Sequence, residues 1–366
     1  MIPLRHWLIA LLTLTGALTF SLAAHAEPYL AVRMGLKCSA CHENATGGGL
    51  RTAFGNVFAQ SVLPERTADP GPGGPWTGAL NRFISLGADL RAGGTFTQVP
   101  GAATRSEFDL NELRAYLQLN ALPDRLAIYV DQRLAPGTST NLEAYGRLWF
   151  GGRHWYVKAG QFYLPFGLRL EDDSAFVRQV PGINMTTPDK GVELGWESGY
   201  WNAQIAASNG TAGAPEADQG KQWSLKAEHV RANWRFGLSA NGNASDAGDR
   251  NLLGIFAGAR TGPVAWLAEV DHVADAGFPE GKRKLLTLLL EANWALHRGH
   301  NLKATFEAFD PDDDVDEDEQ SRFSLLWEYT PLPFVQLRVG GRVYEGIPQN
   351  NLQNRRTVIA ELHAFF

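Results

Sequence analysis

From Asn81 to the C-terminal Phe366 the chain alternates apolar and polar residues in segments of about ten, each bounded by turn residues. The last segment carries the pattern cleanly: Val358, Ala360, Leu362, Ala364 and Phe366 alternate with Thr357, Glu361 and His363. The same alternation sets Leu126, Ile128 and Val130 against Tyr129, Asp131 and Arg133, and Leu302, Ala304, Phe306 and Ala308 against Lys303, Thr305 and Glu307. It returns as Val335, Leu337, Val339 and Val343 against Gln336, Arg338 and Arg342. Successive side chains of a strand point to opposite faces, so each segment presents one face suited to lipid and one suited to water. A soluble sandwich also alternates, but it favours large aliphatics at its core positions and needs fewer hairpins. The pattern predicts transmembrane β-strands.

Sixteen such segments can be counted, at 81–97, 107–120, 124–134, 141–150, 154–163, 189–197, 200–208, 222–230, 233–242, 250–260, 263–272, 283–296, 300–309, 321–330, 334–344 and 356–366. An even number is what a single-chain bacterial barrel requires. The even-numbered connections are tight, as at Leu122-Pro123, Gly151-Gly152, Thr261-Gly262 and Arg298-Gly299, whereas 164–190, 209–221 and 310–319 are long. Barrels of this kind pair short periplasmic turns with longer outer loops, which puts both chain ends on the periplasmic side. The fold class expected is therefore all-β, a 16-stranded antiparallel transmembrane β-barrel (81–366) preceded by a short helical segment. Trp149, Trp155, Trp201, Trp234 and Trp294 fall near segment ends, where interfacial belts form.

The region before the barrel reads differently. Arg5, the apolar stretch Trp7 to Ala23 and the small-x-small run Ala24-His25-Ala26 form a secretory signal peptide over 1–26, leaving a mature chain that starts at Glu27. No later segment approaches the roughly 20 continuous apolar residues a spanning helix needs. Within 27–63, Gly47-Gly48-Gly49 makes a turn, and Leu50, Phe54, Val57 and Phe58 share one face of a short helix ending near Gln60. Residues 64–80, rich in Pro and Gly, read as a linker. A segment as short as 27–63 cannot bury a cofactor alone, since domains below about 40 residues usually need outside support. It must lean on the barrel, and a lumen sixteen strands wide has room for it.

Composition adds two points. With 33 Lys and Arg against 39 Asp and Glu the net charge is -6, and loss of Arg5 makes it more negative, which argues against a nucleic-acid partner. The two cysteines, Cys38 and Cys41, could pair as a disulfide in an exported protein, but they stand in Cys38-Ser39-Ala40-Cys41-His42. That C-x-x-C-H spacing lets two thiols add to the vinyl groups of one haem while the adjacent imidazole binds its iron. There is no second cysteine pair for zinc and no thioredoxin-like pattern nearby. The expected cofactor is one covalently bound haem c on Cys38 and Cys41, with His42 as proximal iron ligand. The distal position stays open among Met34, Met185, His154, His229, His272, His297, His300 and His363, with Met34, His154 and His363 put forward first.

The connection after Phe309 concentrates acid, with Asp310, Asp312, Asp313, Asp314, Asp316, Glu317, Asp318 and Glu319. Asp312, Asp314 and Asp316 are candidate ligands for a hard cation such as calcium or ferrous iron, against the alternative of a solvated loop that keeps strands from aggregating.

One C-x-x-C-H motif shortly behind a signal peptide, followed by a barrel of this size, resembles the outer-membrane monohaem cytochrome–porin fusions associated with ferrous iron oxidation. The resemblance spans the mature chain in architecture, while its specific motif is confined to Cys38, Cys41 and His42. It implies a barrel in outer-membrane lipid that holds the haem, on the periplasmic side or inside the lumen, and passes electrons from extracellular Fe(II) to periplasmic carriers such as soluble cytochromes. Outward transfer uses the same wiring. Separately, Gly160-Gln161-Phe162-Tyr163-Leu164-Pro165-Phe166-Gly167-Leu168 is similar to a segment of phosphate-selective porins that enters a long loop. The expected lumen mixes Arg133, Arg147, Lys158, Arg338 and Arg342 with Asp131, Glu143, Glu269, Glu291 and Glu361, so this likeness speaks for the barrel and not for phosphate. The alternative function is a diffusion channel for anions or small solutes in which residues 27–63 act as plug or gate.

Overall fold

Sixteen antiparallel strands close on themselves in the computed structural model of the protein, which describes residues 27–216 and 218–366; the expected signal peptide lies outside the described residues. They are β1 (Ile84–Gln98), β2 (Arg105–Leu122), β3 (Leu126–Ala135), β4 (Thr140–Phe150), β5 (Trp155–Phe162), β6 (Asp189–Ser198), β7 (Trp201–Ser208) and β8 (Gln222–Val230). The second half comprises β9 (Trp234–Asn243), β10 (Arg250–Thr261), β11 (Val264–Asp275), β12 (Arg283–His297), β13 (His300–Asp310), β14 (Gln320–Leu332), β15 (Val335–Glu345) and β16 (Arg356–Phe365). Each pairs with its neighbours in sequence, and β16 returns to β1 with Arg356 opposite Gln98 and Phe365 opposite Asp89. Every expected strand is present within a few residues of its expected ends. The first begins at Ile84 and not at 81, because the Asn81 side chain accepts hydrogen bonds from the amides of Phe83 (2.8 Å) and Ile84 (3.1 Å) and turns the chain there.

The two strand faces separate as the alternation requires. Ile128, Val192, Ile205, Leu238, Ile255, Phe323 and Val339 are exposed on the outer wall, while Asp131, Glu143, Lys158, Glu193, Glu269, Glu307 and Glu328 are buried inside. An apolar wall of this extent is one that lipid, not water, solvates. Exposed Trp155, Trp201, Trp234 and Trp294 sit at strand ends beside the short turns, as an interfacial belt does. Trp149 departs from expectation: it shares the lumen face with Arg147, whose guanidinium lies 5.2 Å from its ring, and meets Tyr156 edge-on at 4.8 Å. Among the described residues no helix is long and apolar enough to cross a membrane.

Two segments occupy the interior. One is the connection 163–188, expected among the outer loops and found folded inward instead. Its opening run, Phe162 to Leu170, is buried throughout, and so apolar a stretch cannot remain in water as a loop. The wall satisfies its backbone: Gly167 N–H donates to Ser239 Oγ (2.8 Å), Leu168 N–H to Glu269 (2.9 Å) and Phe176 N–H to Glu307 (2.8 Å). At the far wall Asp172 binds Arg342 (2.7 Å) and Arg322 (2.9 Å). The loop therefore spans the lumen like a girder.

The other interior segment is 27–63, with helices α1 (Pro28–Met34) and α2 (Ala53–Ser61) around a short 3-10 turn at Cys38–Ala40. Tyr29, Leu30 and Val32 pack with Leu168, Val177, Phe256 and Leu267, uniting the two interior segments with the wall. Polar anchors ring this core. Glu27 pairs with Lys303 and Arg338, Tyr29 donates to Glu328 (2.9 Å), Asn44 to Glu143 (3.1 Å), Ser39 to Glu197 (2.7 Å) and Arg147 to Glu43 (2.6 Å). The expected helical face is only partly realised: α2 starts after Leu50 and leaves Phe54 exposed, while Phe58 is buried.

Glu328 is the densest of these anchors, since it also accepts from Asn301 (2.8 Å) and pairs with Lys303 (2.9 Å). In Glu328→Leu the Tyr29 hydroxyl loses this acceptor and Lys303 keeps only Glu27, which weakens seating of residues 27–63 by about 2 kcal/mol. Limited proteolysis checks this: the N-terminal segment is expected to be cut far faster than in the parent, with the barrel fragment intact.

A C-x-x-C-H turn enclosed in the lumen

Helix α2 clamps the motif from one side. Thr52 caps the helix by accepting from Gly55 N–H (3.1 Å), and its own hydroxyl and amide donate to the carbonyls of Ala40 (2.7 Å) and Cys41 (3.0 Å). Gly55 lies so close to Cys41 that an added Cβ would stand 2.3 Å from the Cys41 carbonyl oxygen, so only glycine permits this docking. Within the turn, His42 N–H donates to the Cys38 carbonyl (3.0 Å), and His42 forms an isolated antiparallel bridge with Arg51. Gly49, at φ +67°, brings the chain past Tyr129, whose hydroxyl accepts from Leu50 N–H at 3.1 Å.

Both thiols are free, and with the His42 ring they line one cavity of about 530 Å³, part of it continuous with solvent, bordered by Leu30, Ala31, Leu168, Arg169 and Lys226. Burial, then the charge of Arg51, lowers the His42 pKa to about 4, so its imidazole is neutral and keeps a lone pair for a metal. Its Nδ1 is buried without a hydrogen-bond partner. Burial, and then Cys38, raises Cys41 to about 11. Two free thiols, a neutral imidazole with an unsatisfied nitrogen and an adjoining cavity are the donor set a covalently attached haem requires, and the residues present fit that group.

A second cavity of about 530 Å³ adjoins the first through Glu27, Pro28, His42, Gly48 and Arg169, and is further lined by Arg51, Arg91, Arg114 and Met185. Of the distal candidates, Met185 is the one that reaches either cavity. It is buried, and a Cβ added to Gly48 would meet its Sδ at 3.2 Å. Met34 is 42% exposed; His154 lies in an exposed turn with Nδ1 2.9 Å from the Glu197 carbonyl; His363 is buried but faces Asp89 at 2.9 Å. His229 packs against Trp201 (4.5 Å), and His297 lies on His300 (3.9 Å) near a short turn. It is α1, not α2, that lines the cavity opposite the motif.

The acidic loop stays dispersed. Asp314 pairs with Lys284 (3.1 Å), Asp312 accepts from the Asp314 amide (3.3 Å), and among the described residues no three His, Cys, Asp or Glu side chains gather to hold a metal ion. Asp312, Asp314 and Asp316 are thus not brought together. Towards the long-loop end lies a larger cavity of about 1340 Å³, where Arg91, Arg322, Arg338 and Arg342 converge on Glu171 and Asp172. Arg322, Arg338 and Arg342 are neighbours through the pairing of β14 with β15, and barrel closure brings Arg91 of β1 to them.

Solved structures of the same fold include an anion-selective porin from Comamonas acidovorans (TM-score 0.61, 11% identity, 77% of this chain and 99% of that one). OprB of Pseudomonas putida superposes with a TM-score of 0.59 at 8% identity over 78% of this chain and 95% of its own. The channel DcaP of Acinetobacter baumannii gives 0.56 at 11%, covering 77% and 97%. The barrel is porin-like. No family model and no curated protein matches the sequence, and at these identities the likeness is one of fold. In this porin-like frame the inward connection 163–188 and the N-terminal segment both lie inside the lumen.

Proposed function

We propose that this chain is an outer-membrane electron conduit: a porin-like barrel that holds one haem c inside its lumen and passes electrons from extracellular Fe(II) to periplasmic carriers such as soluble cytochromes. The observation that carries the reading is that Cys38, Cys41 and a neutral, half-buried His42 line one cavity within a barrel whose outer wall is apolar. When bound, the haem supplies a one-electron Fe(III)/Fe(II) couple. The chain's residues divide the remaining tasks. Cys38 and Cys41 would anchor the group, His42 would offer its imidazole, and Met185, in the adjoining cavity, would offer a thioether as a second soft donor. Leu30 and Leu168 give the cavity apolar wall among the charged Arg169, Lys226, Glu228 and Arg235. Residues 27–63 and 163–188 block bulk solute flow, so that charge crosses as electrons.

A second reading has one observation in its favour. The 1340 Å³ cavity on the long-loop side is lined by alternating cations and carboxylates, as a solute path is. Proteoliposomes separate the two. With a membrane-impermeant acceptor inside and Fe(II) outside, the conduit reading expects one covalent haem per chain, haem reduction followed by acceptor reduction, and little ion leakage. Protein without covalent haem, or liposomes that leak ions while the acceptor stays oxidised, would make it a diffusion channel.

A further inference from the structure

The second cavity beside His42 holds two guanidinium groups short of anions. Arg169 is 9% exposed; its Nη2 donates to the Leu164 carbonyl (3.2 Å), its Nη1 has no hydrogen-bond partner, and Glu143, the nearest carboxylate acting on it, makes no ion pair with it. Arg51 is 5% exposed, touches Asp89 only at 3.9 Å, and leaves both Nε and Nη1 without partners. The carboxylates along the same cavity are mostly engaged elsewhere: Asp89 by His363 (2.9 Å) and Arg91 (3.4 Å), Glu112 by Arg114 (2.6 Å), and Glu171 by Arg91 (3.2 Å) and Arg338. Asp173 has no cation in contact, and burial raises its pKa, which favours the protonated form beside an anion. Burial likewise lowers the pKa of Arg169. Buried guanidinium donors left without acceptors are costly, so Arg169 Nη1 and Arg51 Nε and Nη1, on side chains that line one cavity, point to an anionic ligand that completes it.

We propose that Arg51 and Arg169 form a binding site for two carboxylates. Guanidinium groups present planar pairs of donors matched to carboxylate oxygens, and two such forks on one cavity match a dicarboxylate better than a monovalent ion. Two sources share that chemistry: the paired propionates of a haem, and a small dicarboxylate diffusing through the lumen. The position favours the propionates, because this cavity continues from the one lined by Cys38 and Cys41, and propionates project from the porphyrin edge away from the thioether bonds. That assignment rests on the haem reading; the site itself does not.

The test uses the full mature chain with its haem, the Cys38→Ala/Cys41→Ala chain without it, and Arg169→Leu, Arg51→Leu and the charge-retaining Arg169→Lys in both backgrounds. Heat-modifiable gel mobility verifies that each barrel is folded. In the haem-loaded protein, Arg169→Leu and Arg51→Leu are expected to shift the propionate bending mode in resonance Raman spectra and to lower the reduction potential, with Arg169→Lys intermediate. Calorimetry with succinate is expected to detect binding only in the haem-free chain, weakened at least about tenfold by Arg169→Leu, the loss of one charge-assisted hydrogen bond. Equal succinate binding with and without haem, lost in the same variants, keeps the site and overturns the propionate assignment. Unchanged Raman spectra together with no succinate binding in any folded chain overturn the site. A wild-type chain that acquires no covalent haem overturns the conduit reading instead, and the succinate titration still decides the site.

Discussion

Deleting residues 27–63 opens the pore: in planar bilayers the single-channel conductance of the variant is expected to exceed that of the parent at least about tenfold, because a 16-stranded barrel is wide enough for an aqueous channel once its filling is gone. The barrel should fold without the segment. Its strands hydrogen-bond to one another around a closed ring, from β1 back to β16, and owe nothing to the plug. The polar groups it leaves behind, including Glu328, Asn301, Glu143 and Glu197, would face water, which satisfies them. The inward connection also stays, since Ser239, Glu269, Arg322 and Arg342 hold it independently of residues 27–63. The open state is therefore expected to remain narrower than a barrel with no inward loop. Unchanged conductance would mean that 163–188 closes the lumen alone and that the N-terminal segment is no plug.

Replacing Cys38 and Cys41 together by alanine separates electron transfer from sealing. The double variant is expected to carry no covalent haem on a denaturing gel, and to reduce the enclosed acceptor no faster than empty liposomes do. Its ion conductance should equal the parent's. The reason is that the turn is held through its backbone: His42 N–H to Cys38 carbonyl, Thr52 N–H to Cys41 carbonyl and Thr52 hydroxyl to Ala40 carbonyl all survive the change. The sulfurs form no disulfide, so the chain loses no cross-link. Acceptor reduction that persists without the thiols would falsify the conduit reading. A conductance that rises would mean that the haem, and not the polypeptide, forms the seal.

The barrel was legible because strand alternation is a local property. Val358 to Phe366 or Leu302 to Ala308 declare two faces from side-chain chemistry alone, and tight turns such as Gly151-Gly152 mark the ends. The spacing of Cys38, Cys41 and His42 is local too, and it is what the proposed haem attachment rests on. The connection 163–188 was misread as an outer loop, although a signal lay in the sequence: Phe162 to Leu170 is too apolar to stay in water. The distal candidates failed for another reason. Met34 is near in sequence and His154 and His363 have suitable side chains, but which of them reaches the His42 cavities depends on how the lumen is packed, and Met185 arrives there on a loop that begins more than a hundred residues downstream.

The arginines divide along the same line. Arg338 and Arg342 could be assigned to the lumen from strand parity, yet their convergence with Arg322 and Arg91 on Glu171 and Asp172 follows from ring closure and from the inward path of the loop. Arg51 and Arg169 carry no local signal at all, lying outside any strand on two different interior segments. The amino-acid sequence by itself determined the strands, their faces and the number needed to close a ring, because each of these is settled by neighbours along the chain. Only the tertiary structure decided what fills the lumen, which thioether and which guanidinium groups stand beside His42, and which charges are left without partners, because those depend on burial and contact between residues that the chain itself keeps far apart.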